Sequence, residues 1–141
     1  MSLEQLTKER TKIFIEQMIA MSAQLKGDYW TAENYLSDLN KKWELSYAAI
    51  ENDTLAGFML VSDKGENHHL HRIVIAEKFQ NKKIGKTMLL KLIENARSRH
   101  KNSVTLKVHQ TNAGAIKFYE GLGFKETAKE IENHLYTLVL K

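Results

Sequence analysis

The sequence predicts an α/β domain, a mixed sheet with helices on its faces. Some segments carry apolar residues at helical spacing, and others alternate them as half-buried strands do. The segments follow one another as α-α-β-β-β-α-β-α-β-β, which interleaves strands with helices rather than separating them. No internal repeat, low-complexity tract or Gly/Ser linker divides residues 1–141, so they read as a single domain. A small doubly wound domain built on the two strand–helix–strand units is the alternative.

The first part reads as helical. Ser2 followed by Gln5 resembles a capping box, and Phe14, Met18, Met21 and Leu25 then recur at helical spacing. Lys26 to Asp28 break that pattern, and a second helix is expected from the N-cap Thr31, with Leu36, Leu39 and Trp43 along one face. "SYAAIENDTLAGFMLV" then reads as two strands about a tight Asn52-Asp53 turn. "DKGEN" is the next turn, and "HHLHRIVI" is a strand ending at Ile75. A helix follows with Met88, Leu89, Leu92, Ile93 and Ala96 on one face. "SVTLKVH" alternates as a strand does, and after Asn112 a helix carries Ala115, Phe118, Tyr119 and Leu122. "GLGF" ends that helix through a left-handed glycine, and "HLYTLVL" is the final strand.

Composition narrows the function classes. An apolar share of 43% supports a genuine core. No apolar run approaches the roughly 20 residues that span a bilayer, and the N-terminus lacks a signal-peptide core, so a cytoplasmic protein off the membrane is expected. The absence of cysteine excludes disulfides and thiolate metal sites. The net charge of +4 favours an anionic ligand or partner without choosing one.

"FQNKKIGKTMLL", Phe79 to Leu90, is the most informative short stretch. A strand runs through a turn into a helix whose first N–H groups are unpaired and whose dipole is positive at that end. Gly85 lets a ligand approach the backbone, and Lys82, Lys83 and Lys86 add charge, so a diphosphate suits the site. A solvated basic loop accounts for the same residues, since neither a Walker motif nor G-x-G-x-x-G is present.

"TNAGAIKFYEGLGF", Thr111 to Phe124, adds the second block. Together the two resemble the GCN5-related N-acetyltransferase (GNAT) family, over roughly residues 46–128. The family pattern is an apolar strand, then Arg/Gln-x-x-Gly-x-Gly/Ala opening a helix, and later Asn-x-x-Ala-x-x-Phe-Tyr with Leu-Gly-Phe. Here Gln80 and Gly85 match the first part, and Asn112, Ala115, Phe118, Tyr119 and Leu122-Gly123-Phe124 match the second. The resemblance implies a mixed, mainly antiparallel sheet of about six strands flanked by helices and splayed at an acetyl-CoA site. It divides the chain into a helical acceptor-side region (1–45), a cofactor-binding core (46–128) and a C-terminal strand (129–141).

The implied roles follow residue by residue. Ile73, Val74 and Ile75 correspond to the splayed strand that pairs with the pantetheine arm of acetyl-CoA. Gln80 opens the pyrophosphate turn, and Asn81, Lys82, Lys83, Ile84, Gly85, Lys86 and Thr87 form it. Asn112 corresponds to an asparagine that contacts the pantetheine or orders the second helix. Tyr119 corresponds to the tyrosine that protonates the leaving thiolate. The implied function is transfer of acetyl from acetyl-CoA to a primary amine of a small molecule, peptide or protein, by direct attack in a ternary complex. No metal is required. Homodimers are common in such a family, and the sequence leaves the oligomeric state open.

Three positions depart from the pattern, one of them Glu77, which stands where many members of the family have proline. Lys83 stands where the first glycine is expected, and a positive φ there would strain it. Lys107 stands where enzymes acetylating ribosomal-protein N-termini carry a catalytic glutamate.

The base is less defined. His69 and His71 share one strand face, with His68 on the other. His71 is the candidate base, because histidine titrates near neutrality, and His69 and Glu66 are others. Two histidines without further ligands make a poor metal site. Arg97 to Lys101 read as the solvated end of a helix; Trp30, Tyr35 and Trp43 lie in the region that the resemblance implies shapes the acceptor pocket, with core packing the expected role of Trp43. A non-catalytic acetyl-CoA-binding sensor or scaffold is the alternative function. Nucleic-acid binding is disfavoured by the modest charge and the lack of an aromatic-basic motif.

Overall fold

The computed structural model describes residues 1–23 and 30–140. At its centre the apolar run after Asn52-Asp53 forms β3 (Thr54–Asp63), buried along nearly its whole length. Asn52 and Asp53 both take positive φ, 48° and 62°, which matches the twist of a tight hairpin to β2 (Tyr47–Glu51). The other strands are β1 (Ser2–Gln5), β4 (Asn67–Ile75), β5 (Ser103–His109), β6 (Lys125–Lys129) and β7 (Asn133–Val139). Their order across the sheet is β1-β2-β3-β4-β5-β7-β6. Only β4 and β5 run parallel; the remaining neighbours are antiparallel.

The sheet has seven strands rather than the six expected. The extra one is β1, and it corrects the reading of Ser2 and Gln5 as a capping box. Those residues pair with Tyr47 to Ile50, and the helix starts later, with the Thr7 side chain accepting from Arg10 N–H. That helix, α1, spans Lys8–Ser22. Leu25 and the break at Lys26 to Asp28 lie outside the described residues.

The second expected helix is two short ones, α2 (Ala32–Leu36) and α3 (Lys42–Leu45). Thr31 caps α2 in a reciprocal box with Asn34. The break is held by Lys42, whose buried ammonium donates to the carbonyls of Tyr35 (2.6 Å) and Ser37 (2.9 Å). Those groups close the α2 end in place of a continuing helix.

Both sheet faces are covered. The expected apolar face of α4 (Ile84–Ser98) packs Met88, Leu89, Leu92, Ile93 and Ala96 onto Ala49, Ala56, Met59, Val61 and Leu70. Beside it α5 (Ala113–Gly121) adds Tyr119 to the same core. On the opposite face Met18 and Tyr35 cover Phe58, Leu60 and Val74. No helix among the described residues is long and apolar enough to cross a membrane.

Candidate active site

The sheet opens between its two parallel strands. The β4–β5 ladder runs from Asn67↔Ser103 to Leu70↔Leu106 and stops there, although both strands continue. The stop coincides with a bulge. Across β3, Leu60 faces Arg72 while Val61 faces Leu70, so His71 is an extra residue in β4. An extra residue bends its strand and raises the local twist, which turns β4 away from β5. The resulting gap is a cavity of about 360 Å³, walled by β4 from Leu70 to Ile73, by β5 from Leu106 to His109, and by Asn112, Ala115 and Tyr119.

At the end of β4 the chain makes a 3₁₀ turn (Glu77–Phe79) and enters α4. Asn81 and Lys83 take left-handed φ of 63° and 64°. Lys83 is the N-cap of α4, but its side chain caps nothing. The first helical bond is donated by Thr87 to the Lys83 carbonyl, so the N–H groups of Ile84, Gly85 and Lys86 have no intrahelical acceptor. A Cβ on Gly85 would lie 3.9 Å from Ile75 Cγ1 and from Phe118 Cζ, an ordinary contact. The protein itself therefore does not demand glycine at this position. Lys82 stacks near Phe79, 5.6 Å from the ring centre, and Gln80 donates to the Ile75 carbonyl. The turn packs near Ile75 and Phe118 at Gly85, while the cavity wall itself ends at Ile73 on β4.

Helix α5 supplies the opposite wall. Asn112 is its N-cap, with Oδ1 accepting from Ala115 N–H at 3.2 Å. Tyr119 lies two turns on, with 7% of its surface exposed and its ring edge-on to Phe124. Its hydroxyl has no hydrogen bond among the described residues, and burial pushes its pKa up to about 12.

A second cavity, of about 470 Å³, shares Leu70, His71, Lys107 and Asn133 with the first. Trp30, Lys64 and His69 complete it. The two cavities are thus two mouths of one cleft through the splayed sheet. His69 and His71 point to this second mouth with rings 4.8 Å apart, and His68 is fully buried on the other face. His71 Nε2 shares a 2.6 Å hydrogen bond with Ser62 Oγ, and His69 Nδ1 one of 2.8 Å with Thr105 Oγ1. Burial, aided by neighbouring positive charge, pulls His69 down to about 4 and His71 to about 3. Both rings are therefore neutral near pH 7.

Other expectations are placed elsewhere. Glu66 sits in the β3–β4 turn, beyond the end of the cleft, where its carbonyl accepts from Asn102. The end of α4 is solvent-exposed from Arg97 to His100, with Arg99 in an exposed pair with Glu44 at 3.3 Å, while Lys101 pairs with Asp63 at 2.9 Å. Trp43 donates to Asp38 and packs on the Lys42 ammonium, while Tyr35 is core. Lys64 and Asn133 line the cleft, and Ser62 and Thr105 hold its histidines, without any sequence signal. Asn133 arrives because β7 inserts between β5 and β6, opposite His109.

A family model described as the acetyltransferase (GNAT) family matches residues 5–124. The chain belongs to the GNAT family. The ribosomal protein bS18-alanine N-acetyltransferase of Escherichia coli is 27% identical over 97 residues, covering 69% of this chain and 65% of that protein. The chain thus spans just under two thirds of the length of this curated relative. Among solved structures, Ard1 of Thermoplasma volcanium superposes with a TM-score of 0.85 at 20% identity, covering 99% of this chain and 97% of that one. PaiA N-acetyltransferase of Thermoplasma acidophilum, solved with coenzyme A, gives 0.78 at 22% identity, covering 99% and 100%. At these identities the structural likeness shows the GNAT fold.

Proposed function

We propose that this GNAT chain transfers the acetyl group of acetyl-CoA to an amine within a ternary complex. The observation that carries the reading is the β4–β5 ladder ending at Leu70, which opens a two-mouthed cleft beside a helix N-terminus. Three features fit acetyl-CoA. Strand β4 around Ile73 and Val74 offers backbone groups to an extended amide arm. The unpaired N–H groups of Ile84, Gly85 and Lys86 suit a pyrophosphate, and Lys82, Lys83 and Lys86 surround them with charge. A side chain at Gly85 would occupy space that the protein leaves open.

In the proposed ternary complex the thioester lies between Tyr119 and β4, and the amine enters through the Trp30–Lys64 mouth. Nucleophile and carbonyl are then held at attack distance, which supplies much of the acceleration. As the tetrahedral adduct collapses, the carbon–sulfur bond breaks, the nitrogen loses a proton, and the departing sulfur gains one. Tyr119 is the proposed proton donor. With its pKa raised to about 12 it keeps its proton at every working pH. Complete transfer from such a phenol to a thiolate of pKa near 8.5 would be uphill by about 5 kcal/mol. Its donation is therefore coupled to proton loss from nitrogen. His71 is the candidate base, and with a pKa pulled to about 3 it is a weak one that passes a proton on rather than holding it.

Amine-dependent thiol release from acetyl-CoA tests the reading. Tyr119→Phe should lower kcat about 10²- to 10⁴-fold with coenzyme A affinity retained. Tight coenzyme A binding without turnover on any amine would instead identify a binding module.

A further inference from the structure

Among the described residues, the side chains lining the second mouth carry positive formal charge and no negative charge. Of its lining residues Trp30, Lys64, His69, Leu70, His71, Lys107 and Asn133, none is a carboxylate. Lys64 is exposed in the β3–β4 turn and has no ion pair among the described residues. Lys107 meets Glu130 at 3.1 Å, but both side chains are about half exposed, and such pairs contribute little. Its ammonium can therefore exchange that partner for another anion at small cost.

The neighbouring rings register the same field. Lys64 and Lys107 both disfavour protonation of His69, and Lys64 and Lys42 that of His71. A polyamine or lysine-rich acceptor entering here would add positive charge to a mouth whose described lining holds two lysines and no carboxylate. An acceptor carrying its own anion next to the amine would reverse that penalty. The positive surroundings would also favour the neutral, nucleophilic form of its amine.

Resting on the acetyl-transfer reading, we infer that the acceptor is an amine bearing a carboxylate near the reactive nitrogen, with Lys64 and Lys107 as the counter-charges. Free acidic amino acids and peptide N-termini followed by Asp or Glu share that chemistry.

Acetyl-CoA turnover by the full chain, measured over an acceptor panel, tests the inference. The panel comprises free glutamate and its α,γ-diamide, which lacks any carboxylate, and peptides beginning Ala-Asp, Ala-Asn and Ala-Lys. The acidic members should exceed their amide and lysine counterparts at least tenfold in kcat/KM, with the advantage shrinking as salt is raised. A preference shown by glutamate assigns a small-molecule acceptor, and one shown by Ala-Asp a peptide N-terminus. Lys64→Glu, in an exposed turn, should move the preference toward Ala-Lys, and Lys107→Glu should act in the same direction. Equal or better use of amide or lysine acceptors, or a preference unmoved in Lys64→Glu, would overturn the inference while leaving acetyl transfer intact. Coenzyme A binding without turnover on any acceptor would overturn the transfer reading itself, and this inference with it.

Discussion

On the α4 side of the cleft the proposed coenzyme site is largely backbone: the β4 edge past Leu70 and, beyond the cavity wall, the N–H groups of a turn. On the Trp30 side it is side chains: two lysines, two histidines and an indole drawn from four separate segments. A backbone site needs only a strand, a turn and a helix in succession, so its position follows from local order. A side-chain site depends on which distant segments the fold brings together. The first can stay constant among proteins that share a co-substrate, while the second is free to set the acceptor.

Separating the two walls by mutation should therefore separate stability, coenzyme affinity and acceptor use. The largest effect on stability is expected from Lys42→Met. The stem remains, but the carbonyls of Tyr35 and Ser37 lose their donor at the base of the Trp30 wall. About 3 kcal/mol of stability should disappear in a denaturant titration, given the loss of two hydrogen bonds from a buried charged donor. Coenzyme A affinity of the folded protein should not change.

Gly85→Glu should do the reverse. A carboxylate in the first turn of α4 suits the helix dipole, so the melting temperature should hold or rise slightly. The same charge beside the proposed pyrophosphate should weaken coenzyme A binding about 30-fold by calorimetry, a like-charge cost of about 2 kcal/mol. A parallel fall of stability and affinity would show that the two walls are not independent.

Acid should act on the Trp30 wall first. His69 and His71 have folded pKa values of about 4 and about 3, below the ordinary 6.5. The unfolded chain therefore binds more protons between those values. Stability should be full above pH 6.5 and fall progressively as the pH drops toward 4. For the same reason the kcat/KM profile should lack a histidine inflection near 6.5, and should rise with pH as the acceptor ammonium loses its proton instead. Smallest of all is Lys83→Gly, which relieves a side chain held at a φ of 64°. A gain of about 1 kcal/mol is expected, with the lost cation partly offsetting any improvement in coenzyme affinity.

The same contrast explains what was legible in the sequence. The α4 face from Met88 to Ala96 and the cap at Asn112 follow from local periodicity and side-chain chemistry, and both are present. Strand β1 was illegible because Leu3 is its one apolar residue, and the ladder to Tyr47–Ile50 makes it a strand. The break between α2 and α3 was hidden because Lys42, an ordinary helix residue by propensity, turns back onto the carbonyls behind it. The Lys83 position could be read, but its left-handed φ could not. Lys64 and Asn133 carry no motif, and the sheet order alone takes them to the cleft.

Amide hydrogen exchange with and without saturating coenzyme A tests the proposed site most directly. New protection should concentrate at Ile73 to Ile75 and at Lys83 to Lys86, with little change from Lys64 to His69. Protection that bypassed both of the first segments, or fell mainly on the Lys64–His69 side, would contradict the assignment of the splayed strand and the α4 turn to the coenzyme.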